Sequence, residues 1–393
     1  MNNAGVMMSG SGPVGLYVHV PFCERKCAYC DFYSLENRDD VAEYLDAVET
    51  EIRLYAEPEQ PVRARTLYYG GGTPSILTIE QLRRMQSAFA RSFTLDDDAE
   101  ITIEVNPGTV SRDSLAAYRS LGFNRLSIGV QSFDPVALAF LGRIHSADDA
   151  RRCIRDAREA GFNDLSIDLI YSVPGQSDER WYATLDEAVA LAPAHISAYS
   201  LIVEEQTPLF VQVSEGRVTP NADAHEALLY EGTMARLERA GYEHYEVSNY
   251  ARPGCRSRHN GSYWDHTSYL GFGPSAHSFM GGVQGEQPRR WSNVRSVGGW
   301  SAMLRMGKRP LEREEFLTDQ GLFEEGIFLG LRSDGLDPGL VAARTGITLT
   351  GRQQATLEGL LEGGLARREN GLVRLTAAGY VLCDEICARM LVP

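Results

Sequence analysis

Through its first half the chain alternates short runs of β-type residues with helical stretches of period 3.6, and does so six times. That alternation leaves few folds open, because parallel neighbours in a sheet need a crossover and a helix is the usual one. The strands read Leu16–Val20, Thr66–Tyr69, Glu100–Val105, Arg125–Val130, Asp164–Leu169 and His195–Leu201. Helix starts are marked by Thr78 with Gln81 three residues on, by Ser111, and by Ser146 ahead of two aspartates, as side-chain capping and the helix dipole favour. The pattern predicts an α/β fold: a (β/α)6 barrel, incomplete against the eight units of a closed one, with a lateral gap to be covered or entered.

The rest divides on pattern. Residues 1–15 read as a flexible tail, 16–205 as the partial barrel and 206–310 as a barrel-covering α+β extension. Residues 311–393 read as a helical and winged-helix-like C-terminal domain. Within the extension a helix (Ala222–Ala240) and strand (Tyr242–Val247) precede a Gly-, aromatic- and His-rich stretch without periodicity, expected to be functional loop. The winged-helix pattern invites a DNA partner, yet residues 336–393 hold six acidic residues and six arginines, so no basic excess supports it. A net charge of −15 points the same way for nucleic acid and leaves membrane contact peripheral at most. Neither a signal peptide nor an apolar run of about 18 residues is evident, which makes the cytoplasm the expected location.

Seven cysteines are an odd number, and Cys23, Cys27 and Cys30 crowd into eight residues. This suits metal binding in a reducing compartment better than a disulfide framework. They follow the first strand, where a rim loop can gather three thiolates on one face of a [4Fe-4S] cubane and leave one iron open for a chelating ligand. A zinc site lacking its fourth ligand, or chance clustering of buried cysteines, is the alternative. Cys153, and Cys383 with Cys387, fall in helices as small packed side chains.

The run His19-Val20-Pro21-Phe22-Cys23, continuing through Cys27-Ala28-Tyr29-Cys30, resembles radical S-adenosylmethionine (SAM) proteins of the oxygen-independent coproporphyrinogen III oxidase type. So do Gly70-Gly71-Gly72-Thr73-Pro74-Ser75, Glu104-Val105-Asn106-Pro107-Gly108, Gly129-Val130-Gln131-Ser132-Phe133, Leu141-Gly142-Arg143-Ile144-His145 and Asp168-Leu169-Ile170-Tyr171-Ser172-Val173-Pro174-Gly175-Gln176. Each falls at or just past the C-terminal end of an expected strand, where barrels build their sites. The resemblance implies Cys23, Cys27 and Cys30 as cluster ligands. It assigns Gly71, Gly72 and Thr73 to the SAM amino group, Glu104 to the ribose and Arg143 to the carboxylate. Gln131 and Asp168 complete the polar shell, and Tyr17 and Tyr29 contact the nucleoside or sulfonium.

Phe32 stands where the decarboxylating oxidases carry a further cysteine, and only about fifteen residues precede the first strand; both features point away from decarboxylation. The chain instead resembles the HemW-type branch of haem chaperones, with a second signature in His259-Asn260-Gly261-Ser262-Tyr263-Trp264 and Tyr269-Leu270-Gly271-Phe272-Gly273-Pro274-Ser275-Ala276-His277. The expected function is then to hold haem as cargo and deliver it to an acceptor haem protein, with an electron donor serving the cluster and a homodimer as one possible assembly. His259 is the candidate axial ligand, Tyr263 and Trp264 the flat apolar surface, and His277, His266 and Cys255 the rivals. The alternative is a radical SAM enzyme, either a methyltransferase or the decarboxylase, so enzymatic status stays open. A winged-helix redox regulator is a third reading.

Overall fold

The computed structural model describes residues 12–56, 61–282 and 286–391. Strands β1 (Val14–Val20), β2 (Val62–Gly71), β3 (Phe93–Val105), β4 (Arg125–Gln131), β5 (Asp164–Tyr171) and β6 (His195–Ser200) lie parallel and in chain order. Helices connect each to the next, and Thr78, Ser111 and Ser146 each cap one through a reciprocal capping box. No pairing joins β6 back to β1, so the barrel stays open as expected. Period two does the sorting. One face of these strands carries Leu16, Val18, Leu67, Ile103, Ile128, Ile167 and Ile196, all buried in the core. The other turns Tyr68, Glu104, Ser127, Asp168 and Ser197 into the barrel, where they line a cavity.

The expectation that 206–310 simply covers the gap is corrected: this region lengthens the sheet at both edges. Strands β7 (Glu243–Glu246) and β8 (Asn249–Ala251) join β6. On the opposite edge β9 (Tyr269–Phe272) runs parallel to β1, and β10 (His277–Met280), β11 (Arg289–Asn293) and β12 (Leu311–Phe316) follow antiparallel. The result is a twelve-stranded sheet. Two boundaries move with it. Val14 and Gly15 belong to β1 rather than to the tail, whose residues 1–11 lie outside the described residues, and β12 belongs to the sheet rather than to the C-terminal domain.

Beyond it come helices Asp319–Arg332, Pro338–Thr345 and Gly351–Glu362, then the hairpin β13 (Ala366–Glu369) and β14 (Leu372–Leu375). The hairpin turns on Asn370 and Gly371, both at positive φ (51° and 88°), as a two-residue turn between right-twisting strands requires. Two short helices follow, Ala377–Val381 and Cys383–Leu391, with Cys383 and Cys387 buried. Among the described residues no helix is long and apolar enough to cross a membrane.

One buried carboxylate ties the extension to the barrel. Glu51, on the helix Val41–Leu54, is fully buried and accepts from Gly273 N (2.7 Å), Asn293 Nδ2 (2.6 Å) and Trp300 Nε1 (3.2 Å). Removing the acceptor strands three buried donors, each costing about 1–3 kcal/mol if left unmet. Glu51→Ala is therefore expected to lower stability by about 2–4 kcal/mol after partial relaxation, read as a drop in the denaturation midpoint; a midpoint like the parent's would show that the latch contributes nothing.

Candidate functional site

The loop after β1 is pinched shut at its neck. Cys23 N donates to Leu35 O (2.9 Å) and Leu35 N to Pro21 O (2.7 Å), so residues 23–34 form a closed excursion with Cys27 and Cys30 joined by a turn (Cys30 N to Cys27 O, 3.2 Å). The extension clamps this loop from outside, through Arg295 Nη2 to Asp31 O (3.2 Å), Tyr33 Oη accepting from Val297 N (3.2 Å) and Leu209 N donating to Ala28 O (2.9 Å). Sequence reading did not foresee that clamp, since every contact in it is long-range.

Cys23, Cys27 and Cys30 line the mouth of one cavity of about 440 Å³. Among the described residues no three His, Cys, Asp or Glu side chains converge on one point. A cubane spreads its three thiolates over three irons, and the donor set fits it. Thr73 Oγ1 donates to Cys23 Sγ (3.5 Å) and Arg143 Nη1 to Cys27 Sγ (3.3 Å). Burial pushes the Cys30 thiol up to about 11, a cost that cationic iron reverses on binding.

Below the thiols the cavity descends inside the barrel. All four inward positions of β4 line it, Arg125, Ser127, Gly129 and Gln131, a span of roughly 20 Å at ~3.3 Å per residue. Closed barrels fill that volume with bulky side chains; here Ser127, Ser166 and Ser197 leave a polar shaft. Period-two positions on the strands could have named these, and the sequence reading named only those inside family-like segments. Glu104 accepts from Tyr68 Oη (2.8 Å), and burial pushes its carboxyl up to about 8. Burial also raises Asp168, which Ser127 Oγ bonds at 3.0 Å.

The rim is built on unusual backbone. Gly71, Gln131 and Ser172 end β2, β4 and β5 at φ of 104°, 64° and 62°. A Cβ at Gly71 would lie 2.6 Å from the His19 ring, so only glycine fits. Gly72 N and Thr73 N are engaged by Val20 O (2.8 Å) and Phe22 O (2.7 Å), which leaves carbonyls as what the turn offers an ammonium group. Arg143 reaches the cavity with Nη2 on Gly129 O (3.1 Å) and Nε buried without a partner. Tyr29 lines the cavity beside it.

Two sets of candidates fall elsewhere. Tyr17 does not line the cavity: it stacks on Tyr68 and His259 with centroids 6.1 and 6.2 Å apart. The His259 segment is not an open loop but the helix Arg258–Trp264, begun by Ser257 and held by Glu100, whose carboxylate accepts from Arg258 N and His259 N (both 2.9 Å). His259 is 1% exposed, with Nδ1 on Thr66 Oγ1 (2.8 Å) and Nε2 on Tyr263 Oη (2.9 Å); burial pulls it down to about 3. Both ring nitrogens are taken, so His259 in this fold is a buttress between β2 and the helix rather than a free iron ligand. Neither Tyr263 nor Trp264 lines the cavity, while Ser257 and Asn260 of the same segment do. His266 pairs with Glu325 (3.2 Å), His277 is exposed at the start of β10, and Cys255 is half-buried outside the cavity.

Residues 17–188 match the Radical SAM superfamily model. The chain is 36% identical to the protein named heme chaperone HemW of Bacillus subtilis (strain 168), over 94% of this chain and 97% of that one. It is also 36% identical to the heme chaperone HemW of Mycobacterium tuberculosis, over 96% and 95%. Among solved structures the Escherichia coli coproporphyrinogen III oxidase HemN, described as a radical SAM enzyme, superposes with a TM-score of 0.81 at 26% identity, covering 97% of this chain and 90% of that one.

Proposed function

The chain belongs to the radical SAM superfamily and, within it, to the HemW family, and we propose from that premise that it is a haem chaperone, holding haem as cargo and releasing it to acceptor haem proteins. The observation that carries this reading is that the relation to proteins of that name runs end to end, through barrel, sheet extension and C-terminal unit alike. Phe32, 59% exposed at the cavity mouth, supports it against decarboxylation, since the oxidases place a cysteine there.

Cys23, Cys27 and Cys30 would hold the [4Fe-4S] cluster that the superfamily implies, and SAM would occupy the shaft beneath it. Bound together, cluster and SAM supply one-electron reductive chemistry, fed by an electron donor. The chain's own groups position the ligand. Arg143 presents a guanidinium to the carboxylate, the carbonyls of Gly71–Thr73 face the amino group, and Glu104, once ionised, accepts from the ribose hydroxyls. Gln131, Asp168 and Tyr29 complete the shell.

Haem titration followed by absorbance, with coproporphyrinogen III turnover alongside, tests the assignment. The expected result is a saturable Soret shift at micromolar protein, transfer of unmodified haem to an apoprotein, and no conversion of coproporphyrinogen III with reductant and SAM present. Robust decarboxylation, or no haem binding at micromolar concentration, would overturn it.

A further inference from the structure

Large apolar side chains left in water without a partner mark contact surfaces when they gather. On this chain they gather at the end of the barrel that carries the cysteines. Phe32 (59% exposed), Tyr199 (41%) and Ile202 (64%) all line the cavity mouth. The helix Pro208–Ser214, pinned to the cluster loop by the Leu209 N to Ala28 O bond (2.9 Å), exposes two more, Phe210 and Val211. Deeper in, the lining turns polar, with Ser127, Ser166, Glu104 and Asp168. The cavity is thus two-toned, polar where a SAM-like ligand would lie and apolar where it opens.

Volume separates two ligands as well. About 440 Å³ is the size of a site for one drug-sized molecule, which favours a place for a macrocycle outside the shaft that SAM would fill. Charge at the mouth also departs from the rest of the chain, whose net charge is −15. Arg25 and Lys26 are exposed there. Among the described residues Arg25 has no ion pair, and the Lys26 ammonium rests only on Phe32 O (3.2 Å). Asp31 and Glu204 share the lining, so the mouth is balanced rather than acidic.

We propose that the haem is seated at this mouth, its flat face on Phe32, Tyr199 and Ile202 and its two carboxylates at Arg25 and Lys26. The inference rests on the chaperone reading and gives the cargo a place other than His259. The only histidine in the cavity lining, His195, is buried at the far end with Nδ1 on Ser166 Oγ and Nε2 on Tyr245 Oη (both 2.7 Å). The seat therefore holds the macrocycle by face and edge, offers the iron no imidazole, and leaves an axial position for the ligand of an acceptor.

The test uses the reconstituted full chain with iron protoporphyrin IX and its dimethyl ester as probes. The double variant Phe32→Ser/Ile202→Ser is expected to bind haem at least tenfold more weakly, with iron content and SAM affinity as in the parent. Arg25→Glu/Lys26→Glu is expected to weaken the free acid and spare the ester. If the parent binds haem and the apolar double variant binds it equally well, the seat is elsewhere while the chaperone reading stands. Equal losses for acid and ester in the charge-reversed variant would remove the carboxylate contacts. A parent that binds no haem would sink the chaperone reading and this inference with it.

Discussion

Anaerobically reconstituted Cys27→Ala is expected to carry no [4Fe-4S] cluster, where the parent carries about four iron and four sulfide per chain. On the proposed ligand set each of the three thiols would hold one iron, and the fourth iron would be left for SAM. Removing one leaves two open irons and a two-point attachment, which hydrolyses in water. No other sulfur can step in. Cys153 is buried in the helix Ala147–Glu159, Cys383 and Cys387 in the helix Cys383–Leu391, and Cys255 lies outside the cavity. The fold should survive, because the neck of the loop closes through backbone bonds at Cys23 and Leu35, which the substitution leaves alone. Iron and sulfide analysis with the charge-transfer absorbance near the visible gives the readout, and Cys255→Ala serves as a control with a full cluster. A full complement in Cys27→Ala would show that the ligand set is misassigned.

What the sequence made legible was whatever short-range pattern decides. The six barrel strands follow from period two and the helices between them from period 3.6 and their caps; the structure keeps their order and moves their ends, most at β3, which starts at Phe93 rather than Glu100. The cysteine loop was legible because its spacing is local. The His259 segment was not. Ser257 caps it in the structure, but a seven-residue helix has too few turns to show a period, and it is held by Glu100, far away in the chain. Strand β7 was expected at Tyr242–Val247, but β8 to β12 were missed or misassigned for a related reason. They are three to six residues long, and β12 reads Leu311-Glu312-Arg313-Glu314-Glu315-Phe316, the charged composition of an edge strand that must resist pairing with strangers. Tyr17, placed at the ligand only by resemblance, stands in register with Tyr68, yet Tyr68 lines the cavity while Tyr17 is taken up in stacking on Tyr68 and His259, a long-range packing that no local pattern shows.

Arg143→Ala in the reconstituted protein is expected to weaken SAM binding by about 3–6 kcal/mol, roughly a hundred- to ten-thousand-fold, taking ~1.5–3 kcal/mol for each of two charge-assisted hydrogen bonds. The geometry explains why so much should rest on one side chain. Burial would ordinarily disfavour a guanidinium, yet Arg143 is held at the cavity by Gly129 O and the Cys27 thiol, and keeps Nε without a partner. An unmet buried donor is a standing cost, and a carboxylate that meets it recovers that cost in addition to its own charge attraction. Gly129 makes the placement possible, since a Cβ there would lie 3.0 Å from Gln131 Nε2 and 3.4 Å from Arg143 Nη2. Arg143→Lys should fall between parent and Ala, because an ammonium restores the charge and not the planar fork. Iron content should stay at the parent value in both variants, since Arg143 donates to Cys27 and does not ligate. Equilibrium dialysis of SAM against the cluster-loaded proteins reads the effect; an Ala variant that binds SAM as the parent does would take Arg143 out of the site and leave the shaft without a carboxylate partner.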